Sequence, residues 1–260
     1  MTLRDQMNEE VTLKNHPPKR IISLVPSQTE LLADLGLEDE VVGITKFCVH
    51  PKAWFRNKPR VGGTKKVKMN VVHDLQPDLI IGNKEENTRE DIEYLKKHYP
   101  VWMSDILNFS DSIEMIKQLG FITQKEPQAK KWTQSINDAR IQLPDLPHPP
   151  SVAYFIWRKP WMVVGKQTYI HNFMETCGFK NAFADFSRYP EVELENLGRR
   201  NIDLVFLSSE PFPFKDKHIS ELNNYLPNAK IQLINGEMFS WYGSRMKMGF
   251  DYVSKLIKKI

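Results

Sequence analysis

A short apolar run at residues 21–25 halts at Pro26, and a helix-forming stretch begins at once. Proline fixes φ and has no N–H to give to a sheet ladder, so a buried strand must stop there. Ser27 stands three residues before Glu30, the spacing of a capping box that opens a helix. Strand, tight turn and helix therefore follow one another closely. Repeated along a chain, that unit builds a parallel sheet flanked by helices. Open sheets of this kind bind ligands at the loops that follow the carboxyl ends of their strands. Ser27 and Gln28, in the first such turn, are candidate ligand contacts.

The same alternation continues. Strand-like runs fall at 41–45, 79–82 and 101–103, with helical stretches at 29–35 and 90–98 between them. Thr88 and Asp91 have the spacing of a cap for the latter. Residues 1–19, ending in Pro17-Pro18, read as an N-terminal tail, and 20–125 as an α/β lobe. A helical region then runs from 112 to 143, broken at Gly120 and at Glu126-Pro127. Its second piece places Ala129, Trp132, Ile136, Ala139 and Leu143 at steps of three and four, hence on one face. Pro144 and the prolines at 147, 149 and 150 end it. Residues 126–149 are thus predicted to be one bridging helix with a Pro-rich exit, too stiff for a flexible linker.

A second series fills 150–260. Strands are expected at 152–157, 161–164, 204–207 and 231–234. One helix is expected over 169–177, stopped by Gly178, and another over 245–260. The predicted fold is α/β: two β/α lobes with mainly parallel sheets, bridged by one long helix. A chain of 260 residues has room for both lobes.

Composition excludes several function classes. The net charge of +4 comes from scattered Lys and Arg and makes no basic track for nucleic acid. No apolar run approaches the roughly 18 residues of a membrane span. Two cysteines, Cys48 and Cys177, make neither a disulfide framework nor a metal motif. Residues 1–10 lack the basic start and apolar core of an export signal. The expected compartment is cytoplasmic if Met1 is the native start, and periplasmic or lipid-anchored if a signal has been removed.

Five loops should follow strand carboxyl ends. Beside the turn at 26–28 comes 46–50, with Phe47, Cys48 and His50. The loop 83–87 carries Asn83, Glu85, Glu86 and Asn87, polar recognition groups or simple helix caps. In 157–161, Trp157 and Trp161 flank Arg158. Indoles stack on flat ligands, and a guanidinium forks onto a carboxylate or phosphate. Trp241, Tyr242 and Arg245 repeat that chemistry in 237–245, and 208–214, with Phe212, should line the same opening. A rival reading is an intracellular enzyme using Cys48, His50, Asp105 and Glu85 as nucleophile, base and acid.

The ordered motifs at 20–30, 42–45, 60–64 and 75–79 resemble the helical-backbone substrate-binding proteins of ABC importers, which carry vitamin B12, haem or iron–siderophore complexes. The B12-binding members are the nearest in pattern. The resemblance implies a class III periplasmic-binding-protein-like architecture with one ligand held between the lobes. It implies a monomer with no enzymatic activity, no cofactor or metal of its own, and no membrane insertion. The ligand would be a corrinoid or an iron complex, and the protein partner an importer permease. Phe47 matches an aromatic ligand contact of the B12-binding members. Exported members show one exposed carboxylate on each lobe for importer docking. Glu195 fits the second, while the first falls on Asn70, an amide. A cytoplasmic ligand-sensing or carrier module is the remaining alternative.

Overall fold

The computed structural model describes every residue from Met1 to Ile260. The chain divides into two compact units. The first comprises Met1–Ile106, Ser110–Asn137 and Tyr242–Arg245; the second comprises Leu107–Phe109, Asp138–Trp241 and Met246–Ile260.

The first unit opens with a hairpin, β1 (Thr2–Arg4) against β2 (Glu10–Thr12). The segment expected as a tail is therefore folded, with Val11 and Leu13 buried. Then come β3 (Ile21–Ser23), α1 (Pro26–Asp34), β4 (Val41–Ile44) and α2 (Lys52–Asn57). After a small ribbon of β5 (Gly62–Gly63) and β6 (Lys66–Val67) follow α3 (Met69–Leu75), β7 (Leu79–Asn83), α4 (Arg89–Lys96) and β8 (Val101–Ser104). The sheet has the order β4-β3-β7-β8, all parallel. Every residue of β3, β7 and β8 is buried. Helices on both faces explain why these strands read as unbroken apolar runs rather than alternations. The hairpin occupies the outer edge of β8: Gln6 N–H donates to Met103 O at 3.1 Å, and Asp5 Oδ2 accepts Met103 N–H at 3.2 Å. An edge strand needs such partners, which is why residues 1–19 order.

Two capping expectations change. Helix α1 starts at Pro26 itself, with Val25 as N-cap and no side-chain cap. Proline suits the first helical position because its missing N–H would have had no partner there. Asp91 does not cap α4; its Oδ2 accepts Val67 N–H at 2.9 Å.

Two further helices are α5 (Phe109–Ile122) and α6 (Glu126–Ile141). Gly120 does not break α5. A Cβ there would lie 2.5 Å from the Cβ of Ala129, so the glycine lets two helices approach. The turn comes later, at Gln124, with φ 56°. Helix α6 begins in the first unit and ends in the second, the division falling between Asn137 and Asp138.

The second unit holds β9 (Ser151–Trp157), β10 (Met162–Val163), α7 (Tyr169–Thr176), β11 (Lys180–Asn181), a 3₁₀ turn (Leu194–Arg199) and β12 (Leu204–Ser208). It closes with α8 (Asp216–Asn223), β13 (Lys230–Ile234), α9 (Glu237–Ser240) and α10 (Arg245–Ile257), whose first residue belongs to the first unit. Strands β9, β12 and β13 are parallel in the order β10-β9-β12-β13. β10 pairs antiparallel with the end of β9, and β11 pairs parallel with its start. Thr168 caps α7 by accepting His171 N–H at 3.2 Å, and Gly178, at φ 85°, ends it. Ala153, Phe155, Val205, Leu207, Leu222 and Phe183 centre the core. No helix of the chain is long and apolar enough to cross a membrane.

Candidate functional site

In the first unit the carboxyl ends of four parallel strands meet at one edge. Beneath the loops there lies a buried polar network. Gln28, fully buried, donates its amide to Ser104 Oγ. Asn83 donates Nδ2 to the same Oγ at 2.9 Å and to Ser104 O at 3.2 Å. Its Oδ1 accepts the N–H groups of Glu85 at 2.8 Å and Glu86 at 3.1 Å. Asn87 Oδ1 accepts Asn83 N–H at 2.8 Å, and its Nδ2 reaches Thr64 O at 3.0 Å. Asn83, expected to touch ligand, instead spends every side-chain polar atom building the loop. What that loop presents is the half-buried pair Glu85 and Glu86. Beside them Lys84 pairs with Asp105 at 2.5 Å, and Lys65 donates to the Glu85 carbonyl.

Cys48 belongs to this buried layer. Thr29 Oγ1 donates to its sulfur at 3.0 Å, and Thr45 Oγ1 lies at 3.2 Å. Burial pushes the thiol up despite those hydroxyls. A thiol fully out of solvent and held protonated is a poor nucleophile. The enzymatic use of Cys48 with His50 has no support in this geometry. Phe47, next to it, is 50% exposed, with the Lys46 ammonium 4.9 Å from its ring centroid. Gly63 makes room for the ring, since a Cβ there would sit 3.2 Å from Phe47 Cε2.

The segment Tyr242–Arg245 was expected in the second lobe and folds instead with the first unit. The Tyr242 ring is buried, and burial raises its pKa. Gly243, at φ 85°, donates N–H to Ser112 Oγ at 3.0 Å. Arg245 is 5% exposed and forks onto Glu30, Nε to Oε2 and Nη2 to Oε1, both at 2.6 Å. These bonds fix the segment in the first unit. They also take Arg245 out of the set of ligand-facing cations, and they give Glu30 a role other than the reciprocal cap of Ser27.

The second unit is built differently. Trp157, last in β9, is 40% exposed and meets Phe212 edge-on with ring centroids 5.8 Å apart. Phe212 in turn contacts Phe214 at 4.8 Å and His218 at 5.5 Å. His218 is buried; its Nδ1 accepts Lys215 N–H at 2.8 Å, so the ring is a neutral Nε2–H tautomer. Burial lowers its pKa. Trp161, expected beside Trp157, packs inward: it stacks on Phe214 at 5.8 Å and meets Phe155 edge-on at 5.5 Å. Arg158 forks onto Glu221, Nε to Oε2 at 3.1 Å and Nη2 to Oε1 at 2.9 Å, with its guanidinium 5.5 Å from the Trp161 ring. Like Arg245, it is matched to a carboxylate of its own unit. Trp241 Nε1 donates to Glu210 Oε1 at 2.9 Å, and Ser240 Oγ reaches the same oxygen at 2.8 Å.

Sequence reasoning missed Glu30 and Glu221 as arginine partners, and also Ser104, Glu210 and His218. One signal was readable: buried apolar strands here end in a polar residue, Ser23, Asn83, Ser104 and Ser208. Of the docking candidates, Glu195 is exposed in the 3₁₀ turn and Asn70 is exposed on α3.

Comparison with known proteins narrows the meaning of these edges. The pattern of the periplasmic binding protein family matches residues 21–225. An uncharacterised ABC transporter substrate-binding lipoprotein of Bacillus subtilis is 30% identical over 216 residues, which is 79% of this chain and 68% of that protein. A vitamin B12-binding protein of Vibrio parahaemolyticus is 28% identical over 206 residues, 76% of this chain and 74% of the other. Among solved structures, a periplasmic haem-binding protein from Roseiflexus superposes with a TM-score of 0.79 at 18% identity, covering 93% of this chain and 98% of the other. At that identity the likeness is one of fold.

Proposed function

We propose, from the premise that the chain belongs to the periplasmic binding protein family, that it captures a large, flat metal complex, a corrinoid or an iron chelate. Delivery to an ABC importer outside the cytoplasmic membrane is part of this reading, supported by a relative named as an ABC transporter substrate-binding lipoprotein. The observation that carries the ligand reading is a pair of exposed aromatics, each at the carboxyl end of its own unit's sheet. Phe47 is 50% and Trp157 is 40% exposed. Exposed rings of this size, at edges where parallel sheets take ligands, suit stacking on a macrocycle. Phe212 backs Trp157, Trp241 adds a second indole whose N–H is held by Glu210, and Glu85 and Glu86 are the polar groups of the loop after β7. The protein acts by binding without turnover, as a monomer, and Glu195 is its importer-facing carboxylate.

Titration of the purified chain with cyanocobalamin, haemin and a ferric hydroxamate, followed by absorbance and tryptophan fluorescence, tests this. Saturable one-to-one binding of at least one complex is expected. Failure of all three to bind, or turnover of any, would overturn it.

A further inference from the structure

We propose that Glu210 is a positioning residue of the capture site: it fixes the Trp241 indole and ties together the two loops that carry the rings of the second unit's edge. This deepens the capture reading above and rests on it.

Strands β12 and β13 are parallel neighbours, paired from Leu204 with Lys230 to Ser208 with Ile234, so the loops that leave their carboxyl ends start side by side. The first loop carries Glu210 and Phe212; the second carries α9 and, just after it, the half-buried Trp241. The Glu210 side chain joins them. Its Oε1 accepts Trp241 Nε1–H at 2.9 Å and the Ser240 hydroxyl at 2.8 Å. An indole turns about two side-chain bonds, and Nε1–H is its one conventional donor. A partner there sets the plane of the whole ring. A carboxylate makes that bond charge-assisted and stronger than a neutral acceptor would.

Glu210 is itself held from behind. Its N–H donates to Ser208 Oγ at 3.3 Å, and the Ser208 hydroxyl donates back to the Glu210 carbonyl at 2.5 Å. Tyr154, fully buried in β9, donates its hydroxyl to the same Ser208 Oγ at 3.2 Å. The second loop closes on this group through Gly236, whose N–H donates to Ser209 Oγ at 2.9 Å. A Cβ at Gly236 would collide with Ser208 Oγ and Glu210 Cγ, so the approach requires glycine. Two residues beyond Glu210, Phe212 meets Trp157. One residue therefore holds Trp241 by its side chain and leads by its backbone to the ring beside Trp157. Rings fixed before the ligand arrives lose little freedom on binding, which is how a residue can raise affinity through its neighbour.

Affinities for cyanocobalamin, haemin and a ferric hydroxamate are measured for the wild type, Glu210→Ala, Trp241→Ala and the double variant. For whichever complex binds, each single variant should lose roughly fivefold in affinity, the worth of one stacked ring. The double variant should bind no more weakly than Trp241→Ala, because Glu210 acts through that indole. Glu210→Gln keeps an acceptor oxygen in place and should recover most of the loss. In the ligand-free protein, solvent exchange of the Trp241 indole N–H is followed by NMR, with its signal assigned by its absence in Trp241→Phe. That exchange should accelerate in Glu210→Ala and stay slow in Glu210→Gln, with the other indole signals unmoved. Should Glu210→Ala fail to fold, Glu210→Asp takes its place; one carbon shorter, it withdraws the acceptor and should give the same pattern. Additive losses, an affinity that the Glu210 variants leave unchanged, or unaltered indole exchange would each overturn the inference while leaving ligand capture standing. Failure of all three complexes to bind would overturn the capture reading, and the inference with it.

Discussion

The two units solve one problem, presenting loops at the carboxyl edge of a parallel sheet, by different means. The first unit uses hydrogen bonds. Asn83, Ser104, Gln28 and Asn87 hold the loop after β7 through a chain of buried polar contacts. The second uses ring packing. Trp157, Phe212, Phe214, Trp161 and His218 form a continuous cluster of rings at its edge, mostly meeting edge-on. A hydrogen-bonded loop depends on each partner, because a buried group left unmatched bears its full desolvation cost. A ring cluster spreads its energy over many contacts and tolerates changes of similar volume. The first edge should therefore be the more brittle and the second the more adaptable.

The largest effect expected concerns the buried ion pair. Arg245→Ala strands Glu30 and should destabilise the protein by about 3–5 kcal/mol in chemical unfolding. Replacing both partners, Arg245→Met with Glu30→Leu, should recover much of that loss. If the single variant is nearly neutral, the pair does not anchor residues 242–245.

Asn83→Ala comes next. It strands the N–H groups of Glu85 and Glu86 and should cost about 1–3 kcal/mol. Hydrogen exchange at those two amides should accelerate sharply. Unchanged exchange would show that the loop does not rest on Asn83.

The tryptophans offer a sharper contrast. Trp157→Ala should leave stability nearly intact and weaken ligand binding by on the order of 1 kcal/mol or more, through lost stacking. Trp161→Ala should do the reverse, costing stability through a gap beside Phe214 and Phe155. Equal effects of the two on affinity would contradict the inward placement of Trp161.

A smaller effect is pH-linked. His218 has its pKa lowered by burial, so the unfolded chain binds its proton more readily than the folded one. Stability should then fall as pH drops below the ordinary imidazole value of about 6.5. A His218→Gln variant should show a flatter pH profile. An identical slope in both would assign the acid sensitivity elsewhere.

The smallest effect concerns docking. Asn70 is exposed where the resemblance implies a carboxylate. Asn70→Glu should strengthen binding to an importer of this family severalfold, most visibly at low salt, where exposed charges are least screened. Wild-type protein that already docks as well as the variant would show that the amide is no handicap.

Much of this architecture was legible in the sequence. Apolar runs at 21–25, 79–82 and 204–207 became buried parallel strands because a strand covered on both faces must be apolar throughout. Helix α6 was legible from spacing, and the exposed rings Phe47 and Trp157 from their position after strand ends. What was not legible was pairing over long separation. Glu30 and Arg245 meet across 215 positions, and Arg158 and Glu221 across 63. Each arginine read alone looks like a ligand fork, and only the fold reveals the carboxylate already in place. Gly120 misled for a related reason: its lack of a side chain serves contact with Ala129 rather than a helix end. The segment 1–19 read as a tail because its role, covering the edge of β8, exists only once that edge exists.

The most direct test of the central claim is a tryptophan-fluorescence titration of the wild type and Trp157→Phe with cyanocobalamin and haemin. Saturable quenching is expected in the wild type with at least one of them, and a clearly smaller quench in Trp157→Phe, with affinity largely kept because a ring still fills the position. Quenching of the same size in both proteins would place the ligand away from Trp157 and contradict the account.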